Sequence, residues 1–96
     1  MIQKEDFVSR MSKKGYTKVA CREIVDDFIA TLEEVLVLEG EDVMFRGFGT
    51  FEVKQRKERE AKNLAGEDVV VPAFRGVRFS PGKLLKREVK TGVLER

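Results

Sequence analysis

The sequence predicts an α+β fold: two N-terminal helices, an antiparallel sheet with a long hairpin arm, and a short C-terminal helix. Three observations carry this. A wide apolar stripe at helical spacing runs through residues 21–37. Alternating apolar residues flank a Gly47-Phe48-Gly49 turn. Between them and the C-terminal helix lies a long, charged, two-stranded segment poor in large apolar residues. Such a segment cannot offset its own ordering entropy by building a core, so something outside it must order it.

Residues 3–14 predict a short helix with Phe7, Val8 and Met11 on one side and Gly15 as its stop. Thr17 is the candidate N-cap of a longer helix that runs to about Leu38. Its stripe comprises Cys21, Ile24, Val25, Phe28, Leu32, Val35 and Leu36, widened by Ile29 and Val37. So wide a stripe on so short a chain asks for more burial than one subunit supplies. Gly40 ends the helix. Asp42 to Arg46 alternates as a strand, with Val43 and Phe45 on one face. Thr50 to Arg59 predicts a second strand, whose apolar alternation stops after Val53. Asn63-Leu64-Ala65-Gly66 predicts a turn, and Asp68 to Phe74 a returning strand, with Pro72 marking an edge. Ser80 and Pro81 predict the cap and first residue of the last helix. Leu84, Leu85 and Val89 are expected to face inward there, and Lys83, Lys86, Arg87 and Lys90 outward. Thr91 to Arg96 predicts a frayed tail.

The chain has 96 residues, one cysteine and no histidine. One small domain is expected, without disulfides and without a Cys/His zinc site. Lone Cys21 fits a reducing, cytosolic setting and a buried small hydrophobe. The start, MIQKEDF, has early charges and no apolar run behind them, so neither a signal peptide nor a membrane span is expected. The net charge of +2 hides an asymmetry. Residues 1–53 hold 7 Lys/Arg against 11 Asp/Glu, net −4; residues 54–96 hold 12 against 6, net +6. A basic half joined to an acidic half points to a polyanion on one face.

Lys54, Arg56 and Lys62 share one face of the outgoing arm strand by period two, and Lys57 and Arg59 the other. Arg75 and Arg78 lie on the return. Cations spaced this way match a line of phosphates. The interspersed Glu58, Glu60, Glu67 and Asp68 equally permit a solvated, salt-bridged hairpin. Ser80 to Lys83 is a weaker anion candidate at a helix start. Phe45, Phe48, Phe51 and Phe79 are expected in the core, and Phe74 exposed on the arm. Asp26-Asp27 and Glu33-Glu34 are expected on a solvated helix face. The sequence contains no nucleophile–base pair, phosphate-binding loop or metal-ligand spacing, so no catalysis, cofactor or metal is expected.

These residues together resemble the HU family of bacterial histone-like DNA-bending proteins, which includes integration host factor. The resemblance rests on Gly47-Phe48-Gly49-Thr50-Phe51-Glu52-Val53, on Lys54-Gln55-Arg56 through Lys62-Asn63, on Val71-Pro72-Ala73, and on Phe79-Ser80-Pro81-Gly82-Lys83 with Leu85-Lys86. It covers about residues 1–90, and so many motifs in order are specific. It implies an intertwined homodimer with a helical dimerisation base (1–39), a sheet (42–79) with its arm at about 54–76, a C-terminal helix (80–90) and a tail (91–96). It implies a cytoplasmic, nucleoid-associated architectural protein that binds, bends and condenses double-stranded DNA through minor-groove arms with low sequence specificity. Bent, nicked or kinked DNA would be preferred; no membrane or small-molecule substrate is implied.

Carried over by residue, Lys54, Arg56, Arg59 and Lys62 would meet phosphates or the groove, with Asn63 near the tip. Arg75, Arg78, Lys83 and Lys86 would grip the flanking backbone. Phe28, Leu32, Phe45, Phe48, Phe51 and Phe79 would be core and dimer contacts. The family usually carries Asn-Pro at the tip, with the proline as the intercalating wedge. Here Leu64 follows Asn63 and the tip is one residue shorter. Either Leu64 serves as the wedge or the wedge is lost. Ser80 stands where the family often has lysine, and Glu58 and Glu60 dilute the arm charge, so weaker, more salt-sensitive binding is expected. Three other readings stand beside this one. The first is a sequence-preferring protein like integration host factor. The second is a dimeric scaffold offering Val69-Val70-Val71 as a strand edge to a protein. The third is an RNA-duplex binder.

Overall fold

The computed structural model describes residues 1–95. Helix α1 spans Lys4–Ser12. Its first turn carries Glu5 and Asp6 and its last Arg10, matching the helix dipole. The Asp6 carboxylate accepts from the Gln3 N–H at 3.2 Å. Helix α2 spans Lys18–Glu33 and starts as the sequence predicts, with the Thr17 hydroxyl accepting from the Ala20 N–H at 3.1 Å. It widens into π-helical turns over Glu34–Glu39 and ends at Gly40 in the left-handed region, φ 66°.

Two ion pairs tie α1 to α2. Lys4 meets Asp26 at 3.0 Å, and Arg22 forks onto both oxygens of Glu5 at 3.1 and 2.9 Å. Val8 and Cys21 are fully buried. Among the described residues they are the only buried apolar side chains. Phe7, Ile24, Phe28 and Ile29 are exposed and, with Met11 and Val25, line an open apolar groove of about 690 Å³. A folded chain of this size needs far more burial than that.

Strand β1 is Val43–Phe45 and β2 is Gly49–Arg56. The turn between them closes with Phe48 N–H on the Phe45 carbonyl at 2.9 Å, and Gly47 takes φ 82°. Strands β3 (Arg59–Lys62) and β4 (Asp68–Val71) form a separate two-stranded ladder. Strand β5, Phe74–Pro81, returns beside β2 to give the order β1-β2-β5. The predicted Thr50–Arg59 strand is therefore two strands. Pairing runs to Arg56↔Phe74 and resumes at Arg59↔Val71. Lys57-Glu58 and Pro72-Ala73 lie opposite each other in the gap, where Pro72 has no N–H to donate. The gap is a joint between body sheet and arm.

The last helix, α3, spans Lys83–Thr91 with Gly82 as N-cap, so the predicted Ser80-Pro81 start is corrected. Pro81 pairs with Gly49 in the sheet. The Ser80 hydroxyl is engaged elsewhere, donating to Glu52 at 2.7 Å. Gly82 donates its N–H to the Phe48 carbonyl at 2.9 Å, an approach so close that a Cβ there would lie 3.4 Å from the turn backbone. Leu84 and Leu85 are partly covered, but Val89 is 74% exposed and Glu88 takes the buried place at 4%. The tail is not frayed as far as Glu95. The Glu95 N–H donates to Glu88 at 2.7 Å, and its carboxylate receives Arg87 at 2.8 and 2.6 Å. The tail's last residue, Arg96, lies outside the described residues.

The phenylalanine cluster joins these layers. Ring centroids lie 5.5 Å apart for Phe28–Phe45, 6.4 Å for Phe45–Phe51, 4.8 Å for Phe51–Phe79 and 5.3 Å for Phe48–Phe79. The helix stripe thus meets the sheet at Phe45. Yet Phe28, Phe48 and Phe79 remain more than a third exposed.

Candidate nucleic-acid interface

Residues directly opposite in an antiparallel pair share a face. The register therefore divides the body sheet. Val43, Phe45, Phe51, Val53, Arg75, Val77 and Phe79 share the face that meets the helices. Thr50, Glu52, Lys54, Arg56, Phe74, Gly76, Arg78 and Ser80 share the outer face.

Lys54, Arg56 and Arg78 are thus brought together on the outer face. Arg75 is not with them. Its guanidinium donates to the Val37 carbonyl at 3.0 Å and lies 3.5 Å from that of Leu36, at the π-helical end of α2. Carbonyls at a helix end lack internal partners, so a cation satisfies them well. Period two already puts residues 75 and 78 on opposite faces.

At the centre of the outer face sits Glu52, a residue the sequence reading leaves without a role. Its carboxylate accepts the Ser80 hydroxyl and lies 3.1 Å from the Lys54 ammonium. The Ser80 hydrogen bond, then Lys54, hold its pKa below the ordinary 4.5. Glu52 lies two residues before Lys54 and opposite Arg78, so parity and register are the signals that find it.

On the arm, Arg59 pairs with Val71 and Lys62 with Asp68, whose carboxylate lies 2.9 Å from its ammonium. Both partners are well exposed, so this pair is weak and exchangeable. Asn63 builds the tip: its side-chain oxygen accepts from the Ala65 and Glu67 N–H groups, both at 3.0 Å. Gly66 takes φ 80° to complete the turn. That geometry thrusts Leu64 fully into solvent, at 110% relative exposure. Lys83 and Lys86 are exposed on α3.

A cationic outer face thus continues through a joint into a two-stranded arm with an apolar tip. A family model described as Bacterial DNA-binding protein matches residues 2–90. The chain belongs to the HU and integration host factor family. Among curated relatives, integration host factor subunit alpha of Hydrogenovibrio crunogenus is 38% identical over 90 residues, 92% of each chain. DNA-binding protein HU of Thermus thermophilus is 38% identical over 91 residues, 93% of each. Among solved structures, an Anabaena HU–DNA cocrystal structure superposes with a TM-score of 0.82 at 33% identity, covering 92% of this chain and 97% of that one. An HU variant from Thermotoga maritima superposes with a TM-score of 0.68 at 29% identity, covering 92% and 99%. The α+β fold is HU-like, and the family's function is architectural DNA binding.

Two solvent-screened carboxylates of this HU-family chain, Glu5 and Glu52, favour the folded state modestly above acid pH. Glu5 is also held below 4.5, chiefly by its hydrogen bond from Arg22. A carboxyl with a lowered folded pKa contributes stability that is complete above its unfolded value and lost as pH falls through the folded one. Urea unfolding midpoints should hold steady near neutrality and drop modestly as pH falls through the lowered carboxylate pKa values. Glu5→Gln should flatten that drop, read from the midpoint at each pH.

Proposed function

We propose that two copies of this chain form a clamp that binds and bends double-stranded DNA with little sequence preference. Residues 1–39 of both copies form the dimerisation base. The sheets of residues 42–79 form a saddle, and the arms reach along the minor groove. The observation that carries this reading is a body that buries two apolar side chains among the described residues, joined to a two-stranded arm that stands apart from the body sheet. The α1–α2 groove asks for a second copy; the arm asks for a polyanion.

In this reading Lys54, Arg56 and Arg78 meet phosphates from the saddle, and Lys83 and Lys86 from α3. Arg59 and Lys62 follow the groove, Lys62 exchanging Asp68 for phosphate. Asn63 shapes the tip and Leu64 unstacks a base step, as an apolar wedge does. Arg75 steadies the root of the arm against the helical base. Phosphate contacts position without reading sequence, and deformability selects the site. Nicked and kinked duplexes, already partly unstacked, bind best. The setting is the cytoplasmic nucleoid. Relatives named as integration host factor subunits keep a sequence-preferring variant in play. Competition between random and defined duplexes separates the two.

The test compares the parent with Leu64→Ala on intact and pre-kinked duplexes. Unstacking costs a few kcal/mol per step. Losing the wedge should weaken binding to intact duplex about tenfold, about 1.4 kcal/mol, and reduce bending, with little change on pre-kinked DNA. Equal bending by both proteins would sink the wedge assignment.

A further inference from the structure

Phe74 stands apart from the other rings on the body sheet. Phe45, Phe51 and Phe79 share the helix-facing side, whereas Phe74 lies on the outer face opposite Arg56. It is 49% exposed. Its ring is folded back along the strand over Gly76: a Cβ on Gly76 would lie 3.5 Å from Phe74 Cε2 and 4.0 Å from Arg56 Cγ. Ring, bare glycine backbone and arginine stem therefore make one continuous apolar surface, with the guanidinium at its margin. This surface occupies the last paired position before the joint, where the arm leaves the body.

A half-exposed ring on a cationic face has a specific chemical complement. Between the phosphates that meet Lys54, Arg56 and Arg78 run deoxyribose edges, which present C–H groups. A ring laid back on its own strand offers a contact face, not a blade, so it does not enter the base stack as a tip residue does. The geometry points to Phe74 as a deoxyribose-contacting residue at the root of the arm, packing on the groove wall while Arg56 holds the adjacent phosphate. The inference rests on the DNA-binding reading above and adds to it a salt-independent share of affinity. It also adds a preference for DNA over RNA. A ribose 2′-hydroxyl pressed on this ring would lose water without gaining a partner.

The test uses the full chain with Phe74→Ala, Phe74→Leu and Phe74→Gln, titrated on one DNA duplex at several salt concentrations. Counterion release belongs to charged contacts, so an apolar contact changes affinity without changing the salt slope. Phe74 can bury roughly half of the 150–250 Å² typical of an aromatic ring. Phe74→Ala and Phe74→Gln should bind about tenfold more weakly with the parent's slope, and Phe74→Leu should recover most of the loss. The parent's preference for DNA over RNA duplex should shrink in the alanine variant. Equal affinity of parent and Phe74→Ala would overturn the inference, as would a loss accompanied by a shallower slope, which would place the effect on Arg56. Failure of leucine to restore binding where glutamine does would overturn it too. A parent that binds no duplex overturns the DNA-binding reading itself; a parent that binds normally beside an unaffected alanine variant overturns only the role of Phe74. Unfolding midpoints equal to the parent's show that the variants report on contact rather than folding. If alanine unfolds the chain, leucine against glutamine decides the matter.

Discussion

Phe28→Asp should abolish the folded state, not merely loosen it. The Phe28 side chain is half exposed in one copy, yet its ring meets Phe45 and lines the α1–α2 groove. In the proposed dimer that groove closes, and a carboxylate there would be a buried charge without a partner. Truncating a buried Phe costs about 3–5 kcal/mol, and each dimer carries the change twice. Total stabilities are about 5–15 kcal/mol, so little remains, and the buried charge adds further cost. Circular dichroism should show no cooperative transition, and sedimentation should show mass near one chain's 11.0 kDa rather than twice that. A folded, monomeric Phe28→Asp variant would mean that one copy suffices.

The second large effect is on DNA. Arg56→Ala with Arg59→Ala should remove four cations per dimer from the saddle and arms. Each phosphate contact contributes about 0.9 to the slope of log affinity against log salt, so the slope should fall by about 3 to 4. At low salt the double variant should bind orders of magnitude more weakly than the parent. Arg75→Ala is the natural comparison. Its guanidinium holds helix-end carbonyls, so the salt slope should stay while the unfolding midpoint drops. An Arg75 variant that lost slope as Arg56 does would place Arg75 on phosphate after all.

The parts legible in the sequence are those set by local chemistry. Thr17 caps α2 because its hydroxyl needs only the next turn, and Gly15 and Gly40 stop helices because the chain turns left-handed there. The Gly47-Phe48-Gly49 turn and the Asn63 tip follow the same logic. The parts not legible depend on distant partners. Ser80-Pro81 carries a good local helix-start signal, but Gly49 pairs with Pro81 and Glu52 takes the Ser80 hydroxyl, so the sheet claims both residues. The joint at Lys57-Glu58 is invisible without its partner strand, since only the register sets it opposite Pro72. The tail shows the same limit: its local sequence predicts fraying from Thr91, but the turn at Gly92 brings the Glu95 N–H onto the Glu88 carboxylate. Of the candidate site, the sequence groups Arg75 with the other cations, whereas the fold sets it on the helix-facing side against the Val37 carbonyl. Their division between faces follows from strand parity, and the role of Glu52 from register and hydrogen bonds.

Glu52 also explains why the outer face is less basic than its cation count implies. In the proposed complex Lys54 would have to leave this carboxylate, 3.1 Å away, before meeting a phosphate.

The most direct measurement of the whole account is energy transfer between dyes on the two ends of a duplex of about 30 base pairs, titrated with the parent chain. A dimeric clamp whose arms bend the groove should bring the ends together as binding saturates at two chains per duplex site. Saturation at one chain, or full binding with the end-to-end distance unchanged, would contradict it.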